Sequence, residues 1–133
     1  TLTLERISME LLTASLLQKL DNTKELIEFV VKINDKEYKL FTRKKTAKMK
    51  QEELAYLSTV ILNLSDDAAM IDPNRVREVS AWRVANFVFD GDGNSLFSID
   101  DLMNGDDAIL TAIDEAANKA IGSQNTVEQE AKN

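Results

Sequence analysis

Residues 87–102, FVFDGDGNSLFSIDDL, decide how this chain is to be read. The apolar run Phe87-Val88-Phe89 ends in Asp90-Gly91-Asp92-Gly93-Asn94. Leu96-Phe97 then returns to apolar surroundings, and Ser98-Ile99-Asp100-Asp101 opens a new helix. This spacing of acids and glycines supports two readings. In the first it is a calcium loop, with Asp90, Asp92 and Asn94 at its first, third and fifth positions and Asp101 at its twelfth. That pattern wants Gly at the sixth position, where Ser95 stands, and a Glu at the twelfth. The chain also has no second copy of the loop, although such loops usually come in pairs. In the second reading, Asp-Gly and Gly-Asn make a tight turn and Ser98 caps the helix that follows.

Upstream of the turn, Asp72-Pro73 is a helix start, with Asp as N-cap and Pro at the first helical position. The helix should run to about Val88, with Val76, Val79, Trp82, Val84 and Phe87 on a broad apolar face. Trp82 and Phe87 belong to the core on this reading. Downstream, Asp106-Asp107 opens the last helix, where negative charge suits the helix dipole. Ile109, Ala112, Ile113, Ala116, Ala117, Ala120 and Ile121 form its small-residue stripe. Gly122 is expected to end it, leaving 123–133 as a flexible tail.

Towards the N-terminus, Thr46 caps a long helix over 46–64 with Leu54, Leu57, Ile61 and Leu64 on one face. Residues 26–42 read as a β-hairpin turning at Asn34-Asp35, with Lys36 and Lys39 protecting an exposed edge. Residues 1–22 form an amphipathic segment, helical from about Ser8, with Leu11, Leu12, Leu16, Leu17 and Leu20 at helical spacing and a stop at Asp21-Asn22. Its leucine face either folds back on the core or meets another chain. The architecture expected is α+β: a mostly helical single domain over 1–122, with an N-terminal β-hairpin packed on three or four helices.

Composition narrows the chemistry. Of 133 residues, 44% are apolar and 29% charged, and there is neither Cys nor His. Disulfides, thiol chemistry, Ser-His-Asp triads and His-based zinc sites are therefore excluded within this chain. The pairs Asp66-Asp67, Asp100-Asp101 and Asp106-Asp107 all fall at helix starts, where capping explains them without acid–base catalysis. The expectation is a non-enzyme without a cofactor. No stretch reaches the roughly 20 apolar residues of a membrane span, and TLTLERISMELL has no signal-peptide pattern. A cytosolic protein without membrane contact follows. Charge is polarised: residues 1–50 carry 11 Lys+Arg and 7 Asp+Glu, residues 51–133 carry 5 and 16, for a net −7. The acidic part repels phosphate. The basic run Arg43-Lys44-Lys45 with Lys48 and Lys50 lacks interleaved aromatics, so it reads as a solvated segment rather than a nucleic-acid site.

Two stretches carry a family likeness. Phe41-Thr42-Arg43-Lys44-Lys45-Thr46 leads into a helix. Later comes Phe89-Asp90-Gly91-Asp92-Gly93-Asn94-Ser95-Leu96-Phe97-Ser98-Ile99-Asp100-Asp101-Leu102. Together they resemble the tail assembly chaperone family of long-tailed bacteriophages, over about residues 27–122, while residues 1–25 depart from its shorter members. The resemblance implies a non-enzymatic protein of the host cell cytoplasm, absent from the mature virion. Such a protein binds the helical tape measure protein and holds it soluble while tail-tube subunits polymerise around it. It also implies a frameshifted longer form that recruits the tail-tube protein; Ala131-Lys132-Asn133 is compatible with a slippery codon run. Self-association fits the same picture. Contact with a partner helix requires exposed apolar surface in a charged frame. Leu12, Leu16 and Leu17 on one side, and Ile109, Ile113, Ala116 and Ala120 on the other, are the expected contact residues.

Overall fold

A computed structural model describes the backbone of residues 10–65 and 68–132, and side chains over 10–62 and 70–123. The chain is a small α+β domain. In order it forms α1 (Ala14–Leu20), β1 (Ile27–Ile33), β2 (Lys36–Thr42), α2 (Ala47–Ser58), β3 (Ile61–Ser65) and β4 (Ala68–Ile71). A 3-10 turn (Pro73–Arg75) then leads to α3 (Val76–Phe87), α4 (Ile99–Met103) and α5 (Asp107–Lys132).

The hairpin forms where alternation predicts it. Asn34 and Asp35 both take positive φ, 52° and 65°, as a two-residue primed turn requires. Ile33 then faces Lys36 and Phe29 faces Leu40. One face of the hairpin, with Phe29, Val31 and Leu40, is buried against Ala81, Val84 and Val88 and against Leu110, Ile113 and Ala117 of α5. This packing supplies what a lone hairpin lacks in water. Phe41 also exchanges backbone hydrogen bonds with Phe89, at 3.1 and 2.7 Å. The turn at 90–94 is thus tied to β2. Thr42, fully buried, donates its hydroxyl to the carbonyl of Phe87 at 2.7 Å.

Side-chain caps set several boundaries. Thr46 Oγ1 accepts from Met49 N, Asp72 from Asn74 N and Ser98 from Asp101 N, each satisfying an otherwise orphaned helix N–H. Within α3 the buried residues are Val79, Ser80, Ala81, Val84 and Phe87. Val76 stays exposed. Trp82 is half-buried, stacked 4.8 Å from Tyr56 and edge-on to Phe87.

Three expectations are corrected and one open alternative is decided. The first helix begins at Ala14 rather than near Ser8. Thr13 caps it through Leu16 N, and residues 10–13 precede it without helix; Ser8 lies outside the described residues. The helix expected over 46–64 ends at Ser58. There the Ser58 and Thr59 hydroxyls bond back to the carbonyls of Ala55 and Tyr56, and buried Val60 leads into β3, which pairs with β4. Leu54, Leu57 and Ile61 fit a helical period, but β-branched Val60-Ile61 fits the strand better. Asp66-Asp67 falls outside the described residues. The last helix does not stop at Gly122: its backbone stays helical to Lys132. A mid-helix Gly costs only about 1 kcal/mol relative to Ala, and no Pro follows to end the helix. The flexible tail expected over 123–133 is therefore helical as far as Lys132. Finally, α1 does not fold back on the core; none of its residues is buried.

Candidate functional site

The acidic turn is built by Asp90. Its Oδ1 accepts the N–H of Asp92 at 2.9 Å and of Asn94 at 3.0 Å. Its own N–H donates to the carbonyl of Asn94, and Gly93 N–H donates back to the carbonyl of Asp90. Gly93 sits at φ +85°, which Gly adopts without the Cβ penalty of other residues. The Asp90 carboxylate thus replaces backbone partners inside the turn. Asp101 is carried into the first turn of α4 by the Ser98 cap. Among the described residues, no three acidic side chains are grouped to hold a metal ion. Asp90, Asp92 and Asp101 form no such group, and Asn94 closes the turn through its backbone carbonyl. The tight turn with its helix cap describes this stretch.

The basic run is only partly a solvated segment. Lys45 lies 4.5 Å above the Phe87 ring and gives both oxygens of Glu53 a hydrogen bond, at 3.0 and 2.8 Å. Lys50 adds a third at 3.1 Å. Burial alone would raise the Glu53 carboxyl, but hydrogen bonds from Lys45 and Lys50, with their charges, outweigh it and hold it below its ordinary value. Arg43 spreads its guanidinium 4.4 Å over Phe89. Glu53 sits in α2 among Lys48, Lys50 and Glu52, and nothing in its spacing sets it apart; only the fold buries it.

A group whose folded pKa is depressed stabilises the protein above its unfolded value and ceases to do so as pH falls through the folded one. The urea midpoint is therefore expected to drop as pH falls below about 4.5, the ordinary value for this carboxyl. Glu53→Gln should flatten that drop while lowering stability at neutral pH. An unchanged acid limb in the variant would show that other carboxylates control it.

Two stretches of apolar surface bear on the expected contact residues. On the inner side of the hairpin, Val31, Ile33, Tyr38 and Leu40 face Phe97, Ile109 and Ile113 across an open groove of about 270 Å³. Ile113 forms its buried floor, and Tyr38 is exposed at its rim. The second surface is α1 and its approach, where Leu11, Leu12, Leu17 and Leu20 are 85, 59, 56 and 64% exposed and Leu16 is half-buried.

The expected contact residues thus separate. Leu12, Leu16 and Leu17 lie on the α1 surface. Ile109 and Ile113 line the groove. Ala116 and Ala120 are partly buried, packed against the protein's own core. Sequence reasoning missed Tyr38 and Phe97. The alternation Val31/Ile33 and Tyr38/Leu40 marked one wall of the groove, but nothing local showed that Phe97 and Ile109 would form the other.

Among the described residues, no helix is long and apolar enough to cross a membrane. Comparison with protein-family models, with curated proteins and with solved structures finds no match.

Proposed function

We propose that this protein is a phage tail assembly chaperone that binds the tape measure protein in the host cytoplasm and keeps it soluble until the tail tube forms. The supporting observation is the open apolar groove between the hairpin and α5, in a chain of net charge −7. A groove of this kind takes the apolar stripe of an amphipathic helix, with anchors spaced along one helix face. Acidic charge keeps the complex soluble and favours basic clients. The likeness of Phe41–Thr46 and Phe89–Leu102 to the family's motifs supports the same reading. The tail-tube protein, met through a frameshifted longer form, belongs to this proposal as a later partner, and the chaperone itself leaves before the virion matures.

Co-production with the tape measure protein of the same phage tests it. The client is expected in the soluble fraction and to co-purify with the chaperone. Tyr38→Asp places a carboxylate at the groove rim, on a side chain 45% exposed, so the fold is retained while client recovery falls severalfold. Equal client solubility with and without the chaperone would overturn the reading. Unchanged recovery with Tyr38→Asp would move the contact away from the groove.

A further inference from the structure

The outer edge of β1 is an open template. Among the described residues β1 pairs only with β2, while β2 is bridged on its other side at Phe41, to Phe89. That bridge fixes which backbone groups point where. Phe41 sends its N–H and C=O outward to Phe89, so the pair Glu28–Phe41 is not a hydrogen-bonded one. Antiparallel pairs alternate. Glu28, Val30 and Lys32 therefore direct their N–H and C=O away from β2, to the free edge. The two-residue turn agrees, because it makes Ile33–Lys36 a hydrogen-bonded pair.

We propose that a second copy of this chain covers this edge, β1 against β1, antiparallel and two-fold symmetric about Val30. In that register Glu28 faces Lys32 of the second copy, Val30 faces Val30, and Lys32 faces Glu28. Each is a hydrogen-bonded pair, because all of these residues present their backbone groups to the edge. Charge selects the register. Sliding by two residues sets a charge against Val30. Sliding by four sets Glu28 against Glu28 or Lys32 against Lys32, and like charges directly opposite are destabilising. An odd shift puts outward-facing groups against inward-facing ones and turns the apolar face over. The symmetric register also extends an alternation already present. Lys39 bonds Glu28 at 3.1 Å, and Lys32 lies opposite Glu37. Across the four strands Phe41, Glu28, Lys32 and Glu37 then stand opposite one another in turn, with Lys39 reaching Glu28 on the diagonal. On the inner face Phe29 meets Val31 of the second copy, prolonging the apolar surface. Val30, 53% exposed between Glu28 and Lys32 on the outer face, becomes the centre of the contact. A self-complementary patch of this kind is what a two-fold interface requires. The inference stands apart from the chaperone reading, since it uses the edge and outer face of the hairpin rather than the groove.

Light scattering after gel filtration of the full chain tests it. Wild type is expected at twice the 14.9 kDa of one chain. Val30→Pro removes an N–H that the hairpin does not use and fixes φ at a position where an edge strand tolerates it, so it should run at single-chain mass with an unchanged circular dichroism spectrum. Glu28→Lys and Lys32→Glu should each run as single chains, and their equimolar mixture should associate one to one, because every facing pair is then oppositely charged. A wild type at single-chain mass at every concentration at which it stays in solution would overturn the proposal. So would association that survives Val30→Pro, or a mixture that stays apart. If Val30→Pro fails to fold, the charge-swapped mixture decides. Association lost only in Leu17→Asp would assign the contact to α1 and overturn the proposal equally.

Discussion

Phe29→Ala is expected to destabilise the domain by about 4 kcal/mol, a large part of the roughly 5–15 kcal/mol that holds a typical domain folded. Phe29 is buried in the cluster joining the hairpin to α3 and α5, with Leu40 opposite it on β2. Truncation removes the transfer free energy of the ring. It also leaves a cavity that Ala81, Leu110 and Ile113 cannot all fill, because they belong to helices held by other contacts. Val30→Ala, one residue along and on the opposite face, should cost no more than about 1 kcal/mol. Urea unfolding of the pair measures the difference. A Phe29→Ala cost below that of Val30→Ala would show that the hairpin is not anchored through this face.

Asp114→Ala should cost about 2–3 kcal/mol, by a different route. Arg83 Nε and Nη2 donate to the two oxygens of Asp114 at 3.1 and 2.7 Å, and Asn118 adds a longer contact at 3.4 Å. The side chains are 27 and 9% exposed. The hydrogen bonds to Asp114, aided by its charge, raise the Arg83 guanidinium above its ordinary value. Removing the carboxylate strands a half-buried cation, and breaking such a pair costs more than the pair contributes. The partial exposure of Arg83 keeps the loss below that of a fully buried pair, since water screens part of it. Replacing both residues, Arg83→Met with Asp114→Leu, should recover most of the loss, because apolar side chains of similar volume restore the packing without charge. A double variant as unstable as Asp114→Ala alone would mean that the bridge, and not the burial around it, carries the junction between α3 and α5.

The basic run illustrates how charge patterns mislead when read along the chain. Lys45 and Lys50 look like a solvated cluster, yet both are committed to Glu53, and Lys45 also lies on Phe87. Fewer cations are then left for a partner, and the junction between β2 and α2 becomes sensitive to acid. The acidic turn behaves similarly. Its lead carboxylate is occupied by backbone N–H groups of its own turn.

Local chemistry alone determined a good deal of this protein. The hairpin and its Asn34-Asp35 turn, the caps at Thr46, Asp72 and Ser98, and the central place of α3 all follow from residues within a few positions of one another. There, a side-chain oxygen, a positive φ or an alternation of apolar residues acts directly on the backbone. Absence of Cys and His likewise bounded the chemistry before any fold was known. Tertiary structure decided the rest, because the deciding contacts join distant parts of the chain. Val60 could extend a helix or lead into a strand until its burial fixed the turn before β3. The Ile109–Ala120 stripe could face a partner or the hairpin until Phe29, Val31 and Leu40 covered most of it. Asp114 and Glu53 resembled any surface acid until Arg83 and Lys45 arrived beside them. Side chains are selected by their neighbours in space, and periodicity states which residues share a face but not what that face will meet.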